Sequence, residues 1–284
     1  MSRVGLVLHA YKDEAADLSK QLIAWLDQRG HQACLLEPDA ERIGAKACAT
    51  DRETFKTLDL LVVLGGDGTM LHGIDLAGFA GVPVLGINLG YLGFLTEVGP
   101  EDVYDALENT LAGRSTIDER STARASVLRP DGSVEDLGEA INEFSVERGI
   151  GGKVIQMTLT IGDQPFSTLG ADGLLISTPT GSTAYAFSMR GPVVSPRLRC
   201  LVVVAVGAHA LFDRPLVVAD DQDVEIALRF GGRGIVLSDG RVRTEIGEGD
   251  TLRAAVGTSV VRLVRLAPDS FFTRLARRFG VAPA

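Results

Sequence analysis

The sequence predicts an α/β N-terminal domain with a parallel Rossmann-like sheet, then a β-rich, β-sandwich-like C-terminal domain, then a terminal helix packing back on the first. The expected boundaries are 1–119, 120–266 and 267–284. Three observations carry this. Over the first ~120 residues, short aliphatic runs alternate with segments of helical periodicity, the signature of a parallel sheet. Beyond Arg120 helical periodicity nearly vanishes, and short alternating runs are divided by turn residues. The tail PDSFFTRLARRF (268–279) returns to a helical period.

VGLVLH (4–9) is a nearly continuous apolar run, as in a strand buried on both faces. Ala15, Leu18, Leu22, Trp25 and Leu26 then recur at helical spacing, and Gly30 is placed to end the helix. QACLLE (32–37), LDLLVVL (58–64) and VPVLGI (82–87) read as further strands, and MLHGIDL (70–76) as a helix. Another helix is expected from Pro100 to Ala112, with the proline in its first turn and Gly113 as its stop. In the second domain, turns are expected at Asp131-Gly132, Gly162-Asp163, Asp239-Gly240 and Glu248-Gly249-Asp250. The terminal helix should be capped by Asp269 or Ser270. Phe271, Leu275 and Phe279 form its apolar stripe, with Arg274, Arg277 and Arg278 elsewhere; contact with the first domain is expected rather than with membrane or nucleic acid.

With 284 residues the chain suffices for one large domain or two ordinary ones. A composition 45% hydrophobic and 23% charged suits a soluble globular protein. A net charge of −9 argues against nucleic acid or an anionic membrane as partner. Phosphates remain accessible to such a protein through local amides, a helix terminus or a metal ion. Cys34, Cys48 and Cys200 are scattered, lack metal-ligand spacing and read as buried thiols of a reducing cytosol. MSRVGLVL lacks signal-peptide organisation, and runs such as CLVVVAV (200–206) are far too short to span a bilayer, so a cytoplasmic location is expected.

Three stretches carry chemistry. GGDGT (65–69) follows an aliphatic strand and precedes a helix, at the carboxyl end of a parallel sheet where ligands bind. Its glycine amides suit phosphate oxygens, but it is neither a Walker A loop nor a dinucleotide fingerprint, and alone it fits a plain tight turn equally well. GADGLLISTPTGSTAYAFSMRGP (170–192) holds a strand (174–177) and then a dense set of uncharged hydroxyls. That set reads as a lining for a sugar or nucleoside, since a hydroxyl both donates and accepts. In INEF (141–144), Asn142 supplies a donor and an acceptor and Glu143 an acceptor, a pair informative only beside the other two stretches.

Together these stretches resemble the NAD kinases, which phosphorylate the 2′-hydroxyl of the adenosine ribose of NAD to make NADP. The matches run in order: GGDGT, NLGYLGFLT (88–96), Asn142-Glu143, Asp172-Gly173, TPTGSTAY (178–185) with Ser188, HALFDRPLV (209–217) and Ser238-Asp239-Gly240. GGDGT is shared with diacylglycerol and sphingosine kinases, whereas TPTGSTAY is far more specific. The resemblance implies Asp67 as proton acceptor beside the ribose hydroxyl, and Gly65, Gly66, Gly68 and Thr69 as the loop for the donor's phosphates. It places Asp67, Gly68, His72, Phe94, Asn142, Glu143, Gln156, Asp172, Thr183, Ala184, Tyr185 and Ser188 on NAD, with Phe94 toward the adenine and Asp172 toward the nicotinamide. It further implies a site between the two domains, ATP or inorganic polyphosphate as donor, a divalent cation (Mg²⁺ first) with no ligand set assigned, and a homodimer or homotetramer. Met189 and Arg190 stand where the family has small residues, Ala208 replaces a common proline and Arg241 a frequent glutamine; Arg190 is read either as a phosphate contact or as a surface ion-pairing residue, the second being preferred. The alternatives are a lipid kinase of the GGDGT type and a non-catalytic NAD(P)-binding regulator.

Overall fold

The computed structural model describes residues 1–90, 93–149, 154–208, 214–230, 232–266 and 271–281. The chain divides into two compact units, Met1–Glu119 with Val260–Ala284, and Arg120–Ser259. The first unit runs β1 (Arg3–Leu8), α1 (Asp13–Gln28), β2 (Gln32–Leu36), α2 (Glu37–Ile43), β3 (Ala49–Thr50), β4 (Leu60–Gly65), α3 (Asp67–Leu76), β5 (Pro83–Asn88) and α4 (Val103–Leu111). Its strands lie parallel in the order β3-β2-β1-β4-β5, and the end of the chain's last strand continues the sheet, with Arg262 opposite Pro83. A core of Val4, Leu6, Leu8, Leu60, Val62 and Leu64 packs against the Ala15, Leu18, Leu22 and Leu26 face of α1. Gly30, at φ +73°, turns the chain out of that helix.

The second unit contains β6 (Thr116–Leu128), which enters it from the first, then β7 (Val134–Ala140), β8 (Glu143–Arg148), β9 (Ile155–Ile161), β10 (Gln164–Ala171) and β11 (Gly173–Ser177). A short helix α5 (Tyr185–Ser188) follows, then β12 (Cys200–Val206), β13 (Leu216–Ala219), β14 (Val224–Phe230), β15 (Gly234–Ser238), β16 (Arg241–Ile246) and β17 (Thr251–Arg265). One antiparallel sheet has the order β13-β12-β11-β8-β15-β16; the other runs β10-β9-β14-β17, with β6 on β17 and β7 on β6. Alternate residues of both sheets fill one core, among them Phe144, Val146, Leu174 and Ile176 against Met157, Leu159, Ile226 and Leu252. All four expected turns fall between consecutive strands, and Asp239 and Gly240, at φ +48° and +75°, make the left-handed pair that such a hairpin requires.

Three expectations change. Glu37, read as the end of a strand, instead opens α2, because Pro38 in the first turn and left-handed Gly44 (φ +74°) frame a two-turn helix. The helix expected from Pro100 begins as a 3₁₀ turn, Pro100–Asp102, before α4. In the terminal helix α6 (Phe271–Phe279), Arg274 is the buried residue while Phe279 is 43% exposed, so the apolar stripe alone does not define the docked face. The proposed caps Asp269 and Ser270 lie outside the described residues. Cys34 and Cys200 are buried free thiols and Cys48 a half-buried one. No helix among the described residues is long and apolar enough to cross a membrane.

Arg274 is buried because Glu97 is. The Glu97 side chain is 3% exposed; its Oε2 accepts from Arg265 Nη1 at 2.8 Å and from Arg274 Nη2, and its Oε1 accepts from the Leu266 amide at 2.9 Å. Burial alone would raise this carboxyl, but the Arg274 hydrogen bond, the Leu266 amide and the two guanidinium charges outweigh it and hold it below its ordinary value. A carboxyl lowered on folding stabilises fully above its unfolded pKa of 4.5, and that contribution is lost as pH falls through the folded value. Glu97→Gln leaves two buried guanidinium groups short of their counter-charge and should cost about 3–5 kcal/mol in urea unfolding at pH 7. The difference from the unsubstituted chain should shrink below pH 4; a constant difference would remove the ionised carboxylate as its cause.

Candidate functional site

In the first unit the site begins where β4 ends. Gly65 admits no side chain, since a Cβ there would lie 2.2 Å from Thr69 Oγ1. Gly66 is extended and α3 starts at Asp67 itself, three residues earlier than its apolar spacing suggests, with the Thr69 and Met70 amides bonded back to the Gly66 carbonyl. The first amides of such a helix have no partner within it, and a carboxylate there suits the helix dipole. The Asp67 side chain does more than that. Its Oδ2 accepts from the Phe94 amide at 2.9 Å and its Oδ1 from the Leu95 amide at 3.0 Å. Gly93 is required beside it, because a Cβ at 93 would lie 2.0 Å from Asp67 Oδ1. The carboxylate therefore sits between glycines so that a second backbone segment can reach it.

Beside this loop lies a cavity of about 560 Å³ lined by Gly66, Gly68, Thr69 and His72 together with His9, Lys12, Asp39 and Asn88. Lys12 Nζ donates to the Leu89 carbonyl. Asn88 Nδ2 donates to the Gly90 carbonyl at 2.8 Å, while its buried Oδ1 has no partner among the described residues. Burial raises the Asp39 carboxyl, opposed by Arg42, His72 and the Leu8 backbone. Asn88 lies in a quoted motif, but His9, Lys12 and Asp39 carry no motif; only the pairing of β1 beside β4 and the packing of α2 bring them to the loop. Tyr91 and Leu92 of NLGYLGFLT lie outside the described residues; Phe94 is half-buried, its ring 6.3 Å from that of Phe271 and 6.4 Å from that of Phe279.

In the second unit, Asp239 organises the Asn142-Glu143 pair. Its Oδ1 accepts from the Asn142 and Glu143 amides at 2.7 and 3.2 Å, and its Oδ2 from the Ile141 amide at 3.0 Å. Ser177 lies opposite Glu143 across the β8–β11 ladder. Glu143 is 7% exposed and its Oε2 has no partner among the described residues. Burial, then the charges of Asp239 and Glu147, push this carboxyl up to about 8. Tyr185 is likewise raised, by burial and by Glu147, Glu143 and Asp172. Asp172 pairs with Arg148 at 3.2 Å. Glu143, Tyr185 and Asp172 therefore share one neighbourhood with Glu147, which sequence reasoning missed; its signal was the alternation Glu143, Ser145, Glu147 around buried Phe144 and Val146. Gln156 is exposed on β9, opposite Gly170.

The hydroxyl-rich segment divides in two. Ser177, Thr178, Thr180 and Ser182 are buried, and three of these hydroxyls hold the loop's own backbone. Thr178 Oγ1 donates to the Ile141 carbonyl at 2.5 Å and accepts from the Gly181 amide; Ser182 Oγ donates to the Pro179 carbonyl at 2.7 Å and accepts from the Val194 amide; Ser177 Oγ donates to the Thr178 carbonyl at 3.0 Å. This corrects the reading of the whole set as a lining, since a turn-rich loop packed on a sheet must satisfy its own amides and carbonyls first. Thr183, Ala184 and Tyr185 are half-buried and Ser188 is exposed. Arg190 makes no ion pair among the described residues, against expectation; it ends α5 at φ +63°. The segment 209–213, with His209, lies outside the described residues. No three His, Cys, Asp or Glu side chains among the described residues gather as a metal cage.

The Glu143 carboxyl gives a stability test. Its pKa rises on folding from 4.5 to about 8, so between these values the folded state keeps a proton that the unfolded chain has lost. Stability should therefore fall as pH rises through that window, by up to about 1.4 kcal/mol per pH unit. Glu143→Gln should melt well above the unsubstituted chain at pH 8.5 and near it at pH 5 in calorimetry. A shift of equal size at both would show that the carboxyl is not the cause.

Two family descriptions match the chain, ATP-NAD kinase N-terminal domain over residues 4–115 and ATP-NAD kinase C-terminal domain over residues 141–266. The NAD kinase of Heliobacterium modesticaldum is 37% identical over 279 residues, 98% of each chain. That of Mycobacterium leprae is 38% identical over 290 residues, 96% of this chain and 93% of the other. Among solved structures, a yeast NADH kinase complexed with NADH superposes with a TM-score of 0.92 at 22% identity, over 100% of this chain and 89% of that one. An Archaeoglobus fulgidus NAD kinase in complex with ATP gives a TM-score of 0.73 at 22% identity, over 99% of both; these two likenesses show a common fold. Matched in both its halves and nearly end to end by such relatives, this chain belongs to the NAD kinase family.

Proposed function

We infer that this protein is an NAD kinase, transferring a phosphoryl group from ATP to the 2′-hydroxyl of the adenosine ribose of NAD to give NADP. The observation that carries the reading is the Asp67 carboxylate, fixed at the start of α3 by two backbone amides beside a glycine-lined cavity, in a chain of this family. Two of its roughly four lone-pair sites are taken by amides, which leaves acceptor capacity for a hydroxyl proton. In the proposed mechanism Asp67 orients the 2′-hydroxyl and accepts its proton as the new P–O bond forms and the donor's bridging P–O bond breaks.

The donor's phosphates would lie against Gly66, Gly68 and Thr69 in the cavity of about 560 Å³, a size that suits a nucleoside triphosphate and also admits polyphosphate, while Gly65, buried at the end of β4, does not line it. His72 lines the same cavity. A divalent cation, Mg²⁺ first, would neutralise the donor's charge. The described residues build no cage for it; Asp67 at the loop and Asp39 in the cavity wall are too few to hold the ion alone, which suits one carried by phosphate oxygens. NAD itself would be held by Phe94 at the adenine, by Asn142, Glu143 and Gln156, by Asp172 toward the nicotinamide, and by Thr183, Ala184, Tyr185 and Ser188.

The test is NADP formation, crossing NAD and NADH with ATP and polyphosphate, and with diacylglycerol as the competing acceptor. Asp67→Asn keeps the size of the side chain and removes its charge. It should lower kcat by about 10²–10⁴-fold while NAD binding, measured calorimetrically, stays within a few-fold. Turnover unchanged by that substitution would take Asp67 out of the mechanism.

A further inference from the structure

We propose that Arg265 and Arg274 are positioning residues for the phosphoryl transfer, holding the backbone segment whose amides aim the Asp67 carboxylate. The inference rests on the kinase reading above and extends it to two side chains far from the glycine loop in sequence.

The segment of residues 93–97 is engaged on two sides. On one, the amides of Phe94 and Leu95 point to the two oxygens of Asp67. On the other, its carbonyls accept from guanidinium groups: Phe94 O from Arg265 Nη2 at 3.4 Å, Leu95 O from Arg265 Nη1 at 3.4 Å, and Thr96 O from Arg274 Nη1 at 2.8 Å and Arg265 Nη1 at 3.4 Å. The Phe94 carbonyl and the Leu95 amide belong to one peptide group. Arg265 therefore touches the same planar unit that donates to Asp67, and a cation on the oxygen strengthens the N–H as a donor. Thr96 Oγ1 accepts from the Gly93 amide at 3.3 Å, which holds the start of the turn.

Glu97 makes this arrangement rigid. It is buried between the two guanidinium groups and fixes both forks while offsetting their charge. Asp118 holds Arg265 from the other side at 3.2 Å. The aromatic rings of α6 add shape to charge: Phe271 and Phe279 both lie against Phe94, the residue that donates to Asp67 Oδ2. Only one layer of backbone thus separates the terminal helix from the candidate base. A displacement of about 1 Å at a reacting group can cost on the order of 100-fold in rate, so the precision of this layer bears on turnover as well as on stability.

The experiment compares Arg274→Ala and Arg274→Lys in the full chain, each alone and combined with Asp67→Ala, using NAD and MgATP at saturating and limiting levels. With Asp67 present, Arg274→Ala should lower kcat by about 10- to 100-fold. The KM for NAD should stay within about 3-fold, as expected for an interaction that serves the transition state. Added methylguanidine should restore part of the turnover. With Asp67 replaced by Ala there is no carboxylate to aim, and the same substitution should change the residual rate little. An equal fold-loss in both backgrounds, a change in KM alone, or an unaltered kcat would overturn the proposal and leave Arg274 as a residue of stability only. If Arg274→Ala does not fold, Arg274→Lys carries the test, because one ammonium cannot reproduce the fixed fork that serves Thr96 O and Glu97 together. An unsubstituted chain that forms no NADP would instead refute the kinase reading, and this inference with it.

Discussion

The first unit is arranged around the contact between one carboxylate and two backbone amides. Asp67 stands at the junction of a strand and a helix, and the segment after β5 comes back to meet it. That contact needs a neighbour with no side chain, supplied by Gly93, and a strand end with no side chain, supplied by Gly65. It also needs the far side of the returning segment to be held, which the buried Glu97 and its two arginines do. A hydrogen-bonded carboxylate has few orientations available, and catalysis by positioning depends on that restriction.

The second unit uses the same device for a different end. Asp239, in a left-handed turn, accepts three successive amides and so fixes the start of β8, where Asn142 and Glu143 stand. The consequence is a buried Glu143 near two other carboxyl groups, Asp239 and Glu147, with one oxygen unpaired among the described residues. Such an arrangement stores instability that a ligand's hydrogen-bond donor can relieve, which is how perturbed groups come to mark binding sites. The buried hydroxyls of Ser177, Thr178 and Ser182 work in the opposite sense. They spend their hydrogen bonds on the loop and on the Ile141 carbonyl and Val194 amide that flank it, so that Thr183, Ala184 and Tyr185 at its end are held in a fixed place.

The architecture was legible in the sequence because periodicity and turn chemistry are local. The apolar runs of β1, β4 and β5, the α1 stripe from Ala15 to Leu26, the three hairpin turns and the turn that carries the chain from β16 to β17 each follow from a few neighbouring residues. GGDGT and TPTGSTAY were legible as family motifs for the same reason, since their residues are contiguous, but the burial of Ser177, Thr178 and Ser182 in backbone hydrogen bonds was not. Tertiary structure alone decided what those residues touch. Nothing near Asp67 in the chain announces that Phe94 and Leu95 will donate to it, and nothing in the stripe of α6 announces that Arg274 will be the residue it buries. The physical reason is the range of the interaction: a strand or a turn depends on adjacent dihedrals and side-chain alternation, whereas a buried charge takes its place from whichever distant group can neutralise it once the chain has folded.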